Sequence, residues 1–132
     1  MTALKFFTEE ELQCPSTKEV KLAEGFGEKL DELRELLDSP MQLTSACRST
    51  SHINSLLERG YPASENSFHL IDNPKYGTDT CAVDVAVPDS VYRKDLIQAA
   101  LEEGWTVGVA KTFVHIDRRA NYTDLPQIIY VY

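Results

Sequence analysis

Five residues near the end of the chain, Phe113-Val114-His115-Ile116-Asp117, limit the folds open to it more than any other stretch. Branched and aromatic residues dominate the segment, which is the composition of a β-strand. A period of two puts Phe113, His115 and Asp117 on one face and Val114 and Ile116 on the other. Cys81 to Val87 repeats the device with a single acid: Ala82, Asp84 and Ala86 share one face, Val83, Val85 and Val87 the other. A carboxylate in so apolar a strand needs a partner, because an unpaired buried charge is expensive. His115 can be that partner directly, or the two can hold a metal ion with His69 completing the site. The bland alternative is ordinary hydrogen bonding among polar residues.

The other elements are read as a frame for this pair. Thr8-Glu9-Glu10-Glu11 fits a capping box and predicts a short helix ending before Pro15. From Lys18 to Leu37, Leu22, Phe26, Leu30, Leu33 and Leu37 recur at helical spacing and predict an amphipathic helix, stopped by Asp38-Ser39-Pro40. Met41 to Cys47 reads as a strand, and Ser51 as the cap of a helix closed by Gly60. Tyr61 to Thr80 is turn-rich, and a loop of that length in a small domain is more often functional than idle. Pro88-Asp89-Ser90 opens a helix that Gly104 ends. Residues 105–109, 113–117 and 128–132 read as strands. Helices lead and strands cluster late with short turns, so the expected fold is α+β: one domain, 1–132, with a mainly antiparallel sheet and flanking helices.

Thirteen basic against 21 acidic residues give a formal charge of −8. That balance argues against nucleic acid and anionic membranes as primary partners, since both select basic surfaces. No run is long or apolar enough for membrane insertion, and the first residues do not read as a secretory signal, so synthesis in a cytoplasm is expected. Three cysteines, Cys14, Cys47 and Cys81, lack C-x-x-C spacing and read as small buried side chains.

Two histidines and an aspartate suit zinc, whose catalytic sites use three protein ligands and keep one position open. Such a site activates water for attack at neutral pH. Ser67-Phe68-His69, Ala82-Val83-Asp84 and Phe113-Val114-His115-Ile116-Asp117 resemble the signature of the zinc D-Ala-D-Ala carboxypeptidase family, peptidoglycan peptidases with the hedgehog/DD-peptidase fold. Leu43-Thr44-Ser45-Ala46-Cys47-Arg48-Ser49 is similar to that family's upstream strand and turn. The Phe7-to-Cys14 opening and the Leu30-to-Leu37 helix resemble its small bacteriophage members. The resemblance covers most of the chain in the right order. It implies His69, Asp84 and His115 as ligands of Zn²⁺, and Arg48 and Ser67 at the substrate end of the cleft. An arginine there suits a terminal carboxylate, which guanidinium binds by paired hydrogen bonds. Asp117 either orients a ligand histidine or acts as general base. The family's usual base lies just upstream of the last histidine, where this chain has Ala110, Lys111 and Thr112.

Two departures stand out. His69 and Asp84 are fifteen positions apart (84 − 69), more than in the family pattern, so Leu70 to Thr80 must loop out between two ligands. The pattern's glycine falls on Thr80, unless Gly77 takes that role. The expectation is a zinc metallopeptidase, of carboxypeptidase or endopeptidase type, that hydrolyses an amide bond in peptidoglycan peptides. A place at the bacterial cell wall in phage lysis or entry, as an endolysin or virion component, is expected with it. The competing expectation is a non-catalytic relative, a binding or assembly module whose metal is structural or absent. Asp79, His52 or Cys81 would then be the fourth ligand.

Overall fold

The computed structural model describes residues 4–61, 64 and 66–132. Thr8 caps α1 (Glu9–Leu12) through the expected reciprocal bonds: Glu11 N donates to Thr8 Oγ1 and Thr8 N donates to the Glu11 carboxylate. Helix α2 (Phe26–Leu37) buries Phe26, Leu30 and Leu33, one stripe at helical spacing.

The helix is shorter at its start than the periodicity predicts. Gly25, at φ +83°, is left-handed and cannot continue a right-handed helix. Just before it the backbone is claimed elsewhere, since Thr80 N donates to Lys21 O and Ala23 N donates to Thr80 O. Leu22 is therefore held as a bridge to Thr80 and not as part of a helix face.

Strand β1 (Leu43–Ser45) is followed by α3 (Thr50–Glu58), whose cap is Ser49 and not Ser51: the Ser49 hydroxyl accepts from His52 N at 3.1 Å. The turn-rich stretch leads to β2 (Ala82–Ala86), then α4 (Ser90–Glu102), capped by Asp89. The hairpin β3 (Thr106–Val109) and β4 (Phe113–Asp117), a short helix α5 (Arg119–Tyr122), and β5 (Ile129–Val131) complete the chain.

The strands form one sheet in the order β1-β2-β4-β3-β5. All neighbours are antiparallel except β3 and β5, which run parallel. The fold is thus α+β with a mostly antiparallel sheet and flanking helices. One face carries the branched residues Val83, Val85, Val107, Val114 and Ile116, all fully buried. They share a single hydrophobic core with Phe26, Leu30, Leu33, Leu96 and Ala100, α4 lying on β3 and β4 and α2 on α4. Burying each such side chain contributes about 1.5–3 kcal/mol before chain entropy is set against it. Trp105 belongs to this core, its ring edge-on to Phe26 at 5.6 Å. The three cysteines are free and buried. Among the described residues no helix is long and apolar enough to cross a membrane.

Candidate metal centre

The second face of the sheet is a row of unlike residues. Register pairs Ser45 with Asp84, Asp84 with His115, His115 with Gly108, and Gly108 with Tyr130. The alternation that sends the valines into the core sends Asp84 and His115 to this face as direct neighbours. His69 arrives from the loop before β2. Arg48 N donates to its carbonyl at 2.8 Å, and the buried Thr80 hydroxyl donates to the same carbonyl at 2.9 Å. Thr80, in the place of the pattern's glycine, thereby ties the His69 backbone to the head of β2. Gly77 lies in a turn of the preceding loop.

One ligand atom from each of His69, Asp84 and His115 lies within 4.8 Å of the others, and the three residues are only 3%, 7% and 5% exposed. The outer nitrogen of each ring has a committed proton. His69 Nδ1–H donates to the Ala46 carbonyl at 2.7 Å, and His115 Nε2–H donates to Asp117 Oδ2 at 2.8 Å. The inner nitrogens, His69 Nε2 and His115 Nδ1, stand 3.2 and 3.0 Å from the same oxygen, Asp84 Oδ1. Neutral rings so oriented present bare lone pairs to an oxygen that can only accept. The arrangement needs a cation between the three atoms or an extra proton in its place. The donor set, two imidazoles and a carboxylate with their outer hydrogen bonds satisfied, fits zinc.

The charge states follow from this geometry. Burial alone would depress His115, but the bonds to Asp117 and Asp84 outweigh it and raise its pKa. Burial wins at His69 and lowers it, against the pull of Asp84. Burial opposes ionisation of Asp84, yet the bonds from His115 and His69 hold its carboxyl below the usual range. Asp117 is held low in the same way by His115 and Arg119, again against burial.

Asp117 is fully buried and lies outside the cleft lining. One oxygen takes the His115 proton while the Arg119 guanidinium pairs with both oxygens, its Nη2 at 2.8 Å. Both of its oxygens are therefore committed to His115 and Arg119, behind the centre and away from the cleft.

The centre forms part of a cleft of about 890 Å³ that Arg48 and Ser67 also line. Arg48 Nη2 is 4.0 Å from Asp84 Oδ2, a loose contact, and among the described residues its guanidinium has no closer polar partner. The other residues considered as ligands lie elsewhere: His52 bonds the Ser16 hydroxyl, Asp79 pairs with Lys21 at 3.5 Å, and Cys81 is in the core. Ala110, Lys111 and Thr112 form the β3–β4 turn and do not line the cleft.

Sequence reasoning missed Lys75, Tyr76, Phe113, Arg119, Tyr130 and Tyr132 as cleft residues. Tyr130 reaches the site because Gly108 has no side chain. A Cβ there would sit 2.6 Å from the Tyr130 ring, which leans over β3 to within 6.0 Å of the His115 ring. The alternation Tyr130-Val131-Tyr132 carried that signal, but not its direction.

Fold and site together define an α+β protein with a buried two-histidine, one-carboxylate centre opening into a cleft beneath a helix-backed sheet. Comparison of the chain with protein-family models, curated proteins and solved structures found no match.

Proposed function

We propose that the protein is a zinc-dependent metallopeptidase that hydrolyses an amide bond in peptidoglycan peptides, in the manner of the zinc D-Ala-D-Ala carboxypeptidases its motifs resemble. The observation that carries this reading is the convergence of His69 Nε2, His115 Nδ1 and Asp84 Oδ1, with both rings' outer protons already committed. When bound, zinc supplies Lewis acidity that activates water and polarises the scissile carbonyl.

The chain's own residues supply the rest. Asp117, braced by Arg119, fixes the His115 tautomer so that Nδ1 faces the centre, and the Ala46 carbonyl does the same for His69. Arg48 offers a guanidinium that only the loose Asp84 contact engages among the described residues, and Ser67 a hydroxyl in the same lining, to a substrate carboxylate. Walls of Phe113, Tyr130 and Tyr132 limit water around the reacting amide. The cell wall is the place of action that such a substrate implies, and phage lysis or entry the setting.

One observation favours a second reading, a binding module that retains the centre. Among the described residues the cleft is lined by no carboxylate other than Asp84, so none is free to serve as general base. Zinc analysis and peptide hydrolysis separate the two. About one zinc per chain that is lost in His115→Ala, together with release of amino acids from muropeptides, is the expected result. Zinc without any hydrolysis leaves the binding module; no zinc removes both readings.

A further inference from the structure

The material between the first two ligands is built, not slack. Asn73, only 3% exposed, saturates its side chain: Nδ2 donates to the carbonyls of Asn66 and Ser67 at 2.9 and 3.0 Å, and Oδ1 accepts from Lys75 N and Tyr76 N at 2.9 Å each. Its backbone N donates to Thr78 O, and Gly77, at φ +68°, takes the left-handed position that closes the turn. The turn sends two side chains into the cleft, Lys75 and Tyr76.

Tyr76 stacks on Phe68, the neighbour of His69, with centroids 5.0 Å apart and planes at 23°. The Arg119 guanidinium lies over the Phe68 ring at 4.8 Å, and Lys75 Nζ sits over the Tyr76 ring at 5.3 Å. The result is a column, Arg119–Phe68–Tyr76–Lys75, whose inner end is clamped to Asp117. The outer end is a cation held by packing at the wall of the cleft.

Charge completes the argument. In a chain of net −8 the described cleft lining carries three cations, Arg48, Lys75 and Arg119, against Asp84 alone. Arg119 is neutralised by Asp117 and Arg48 lies near Asp84, whereas Lys75 has no ion-pair partner among the described residues.

We infer that the Asn73–Thr78 turn is a specificity element whose Lys75 binds a second carboxylate of the substrate, so that the preferred ligand is an acidic peptide with an anionic group beyond the one Arg48 takes. The inference rests on the peptidase reading and adds to it the class of peptide selected.

The test uses the zinc-loaded full chain and two forms of one peptide, L-Ala-γ-D-Glu-L-Lys-D-Ala-D-Ala, with the glutamyl α-carboxyl either free or amidated. Affinity is read as KM where the peptide is cleaved and as Kd by calorimetry where it is not. Absence of turnover therefore sinks the peptidase reading while recognition is still measured. At low salt the wild type should prefer the free acid by about fivefold, the scale of one solvent-accessible ion pair, and lose that preference in high salt. Lys75→Gln should abolish the preference and Lys75→Glu reverse it, with zinc content unchanged. Asn73→Ala, which releases the turn but keeps the lysine, should also abolish it. Equal binding of the two peptides by the wild type, or an undiminished preference in Lys75→Gln, overturns the inference.

Discussion

Asp117 shows how much of the site depends on a residue outside the cleft. It accepts the His115 Nε2 proton and is itself gripped by Arg119, so the imidazole has one tautomer and one orientation. Asp117→Asn keeps the volume but weakens both bonds, and zinc affinity should fall about 10–100-fold, as for other residues that hold a metal ligand from behind; competition against a chromophoric chelator measures it. The same change has a pH signature in the metal-free protein. Asp117 is held below its ordinary carboxyl pKa, with burial opposing and His115 and Arg119 prevailing. Its contribution to stability is therefore present above the unfolded value of 3.8 and lost as pH falls through the folded one. The asparagine variant should lose less stability than the wild type on acidification below about pH 4, as read by denaturant melts. Gly108 is the converse case, a residue whose absence of side chain matters. Gly108→Ala places a Cβ 2.6 Å from the Tyr130 ring, which must leave its place beside His115. A destabilisation of about 1–3 kcal/mol, the range for overpacking, and a changed near-ultraviolet tyrosine signal are expected. Unchanged melting and an unchanged spectrum would mean that the ring has room elsewhere on the sheet.

At the scale of elements, the loop between His69 and β2 depends on Asn73. Asn73→Ala removes four hydrogen bonds at once, two of them to carbonyls of the segment that leads into His69. Amide exchange over residues 66–80 should accelerate by more than tenfold, with exchange in β2 and β4 little altered, because the loop opens locally while the sheet holds. How well each element could be read from the sequence follows from what determines it. Strands β2 and β4 were legible because their alternation is local, and so was the choice of face for Asp84 and His115. The start of α2 was not: Leu22 and Phe26 have helical spacing by coincidence, and the left-handed Gly25 between them is the signal that outranks it. The cap of α3 was misplaced at Ser51: the approach of the His52 amide to the Ser49 hydroxyl, which no local pattern announces, puts it at Ser49. The parallel pairing of β5 with β3 was illegible, since it joins residues separated by a helix and turns with no local signal of register. The loop's inward-facing Lys75 and Tyr76 were hidden for the same reason. A turn-rich composition announces a loop, but which side chains it sends inward is decided by Asn73's distant partners.

For the whole molecule, the sheet divides the work. One face is a continuous apolar core with α2 and α4, and the other holds three ionisable groups within hydrogen-bonding distance of one oxygen network. A protein that buries such a trio without a metal must keep an extra proton there or leave acceptors facing each other, and either weakens the fold relative to the loaded state. Metal binding should therefore appear as folding stability. A ligand that binds only the native state, at a hundred times its Kd, adds about 2.7 kcal/mol. For a chain of 132 residues that corresponds to a rise in Tm of roughly 10 °C. The wild type should show this rise with zinc and lose it with a chelator. His115→Ala and Asp84→Asn should show little or none, because each removes one of three converging donors. Magnesium should not substitute, since it prefers oxygen ligands and resists losing its water. A wild type whose melting is indifferent to both zinc and chelator would mean that the extra proton is the normal occupant. The His-Asp-His group would then be a buried hydrogen-bond network, and the cleft above it a binding surface without a metal at its floor.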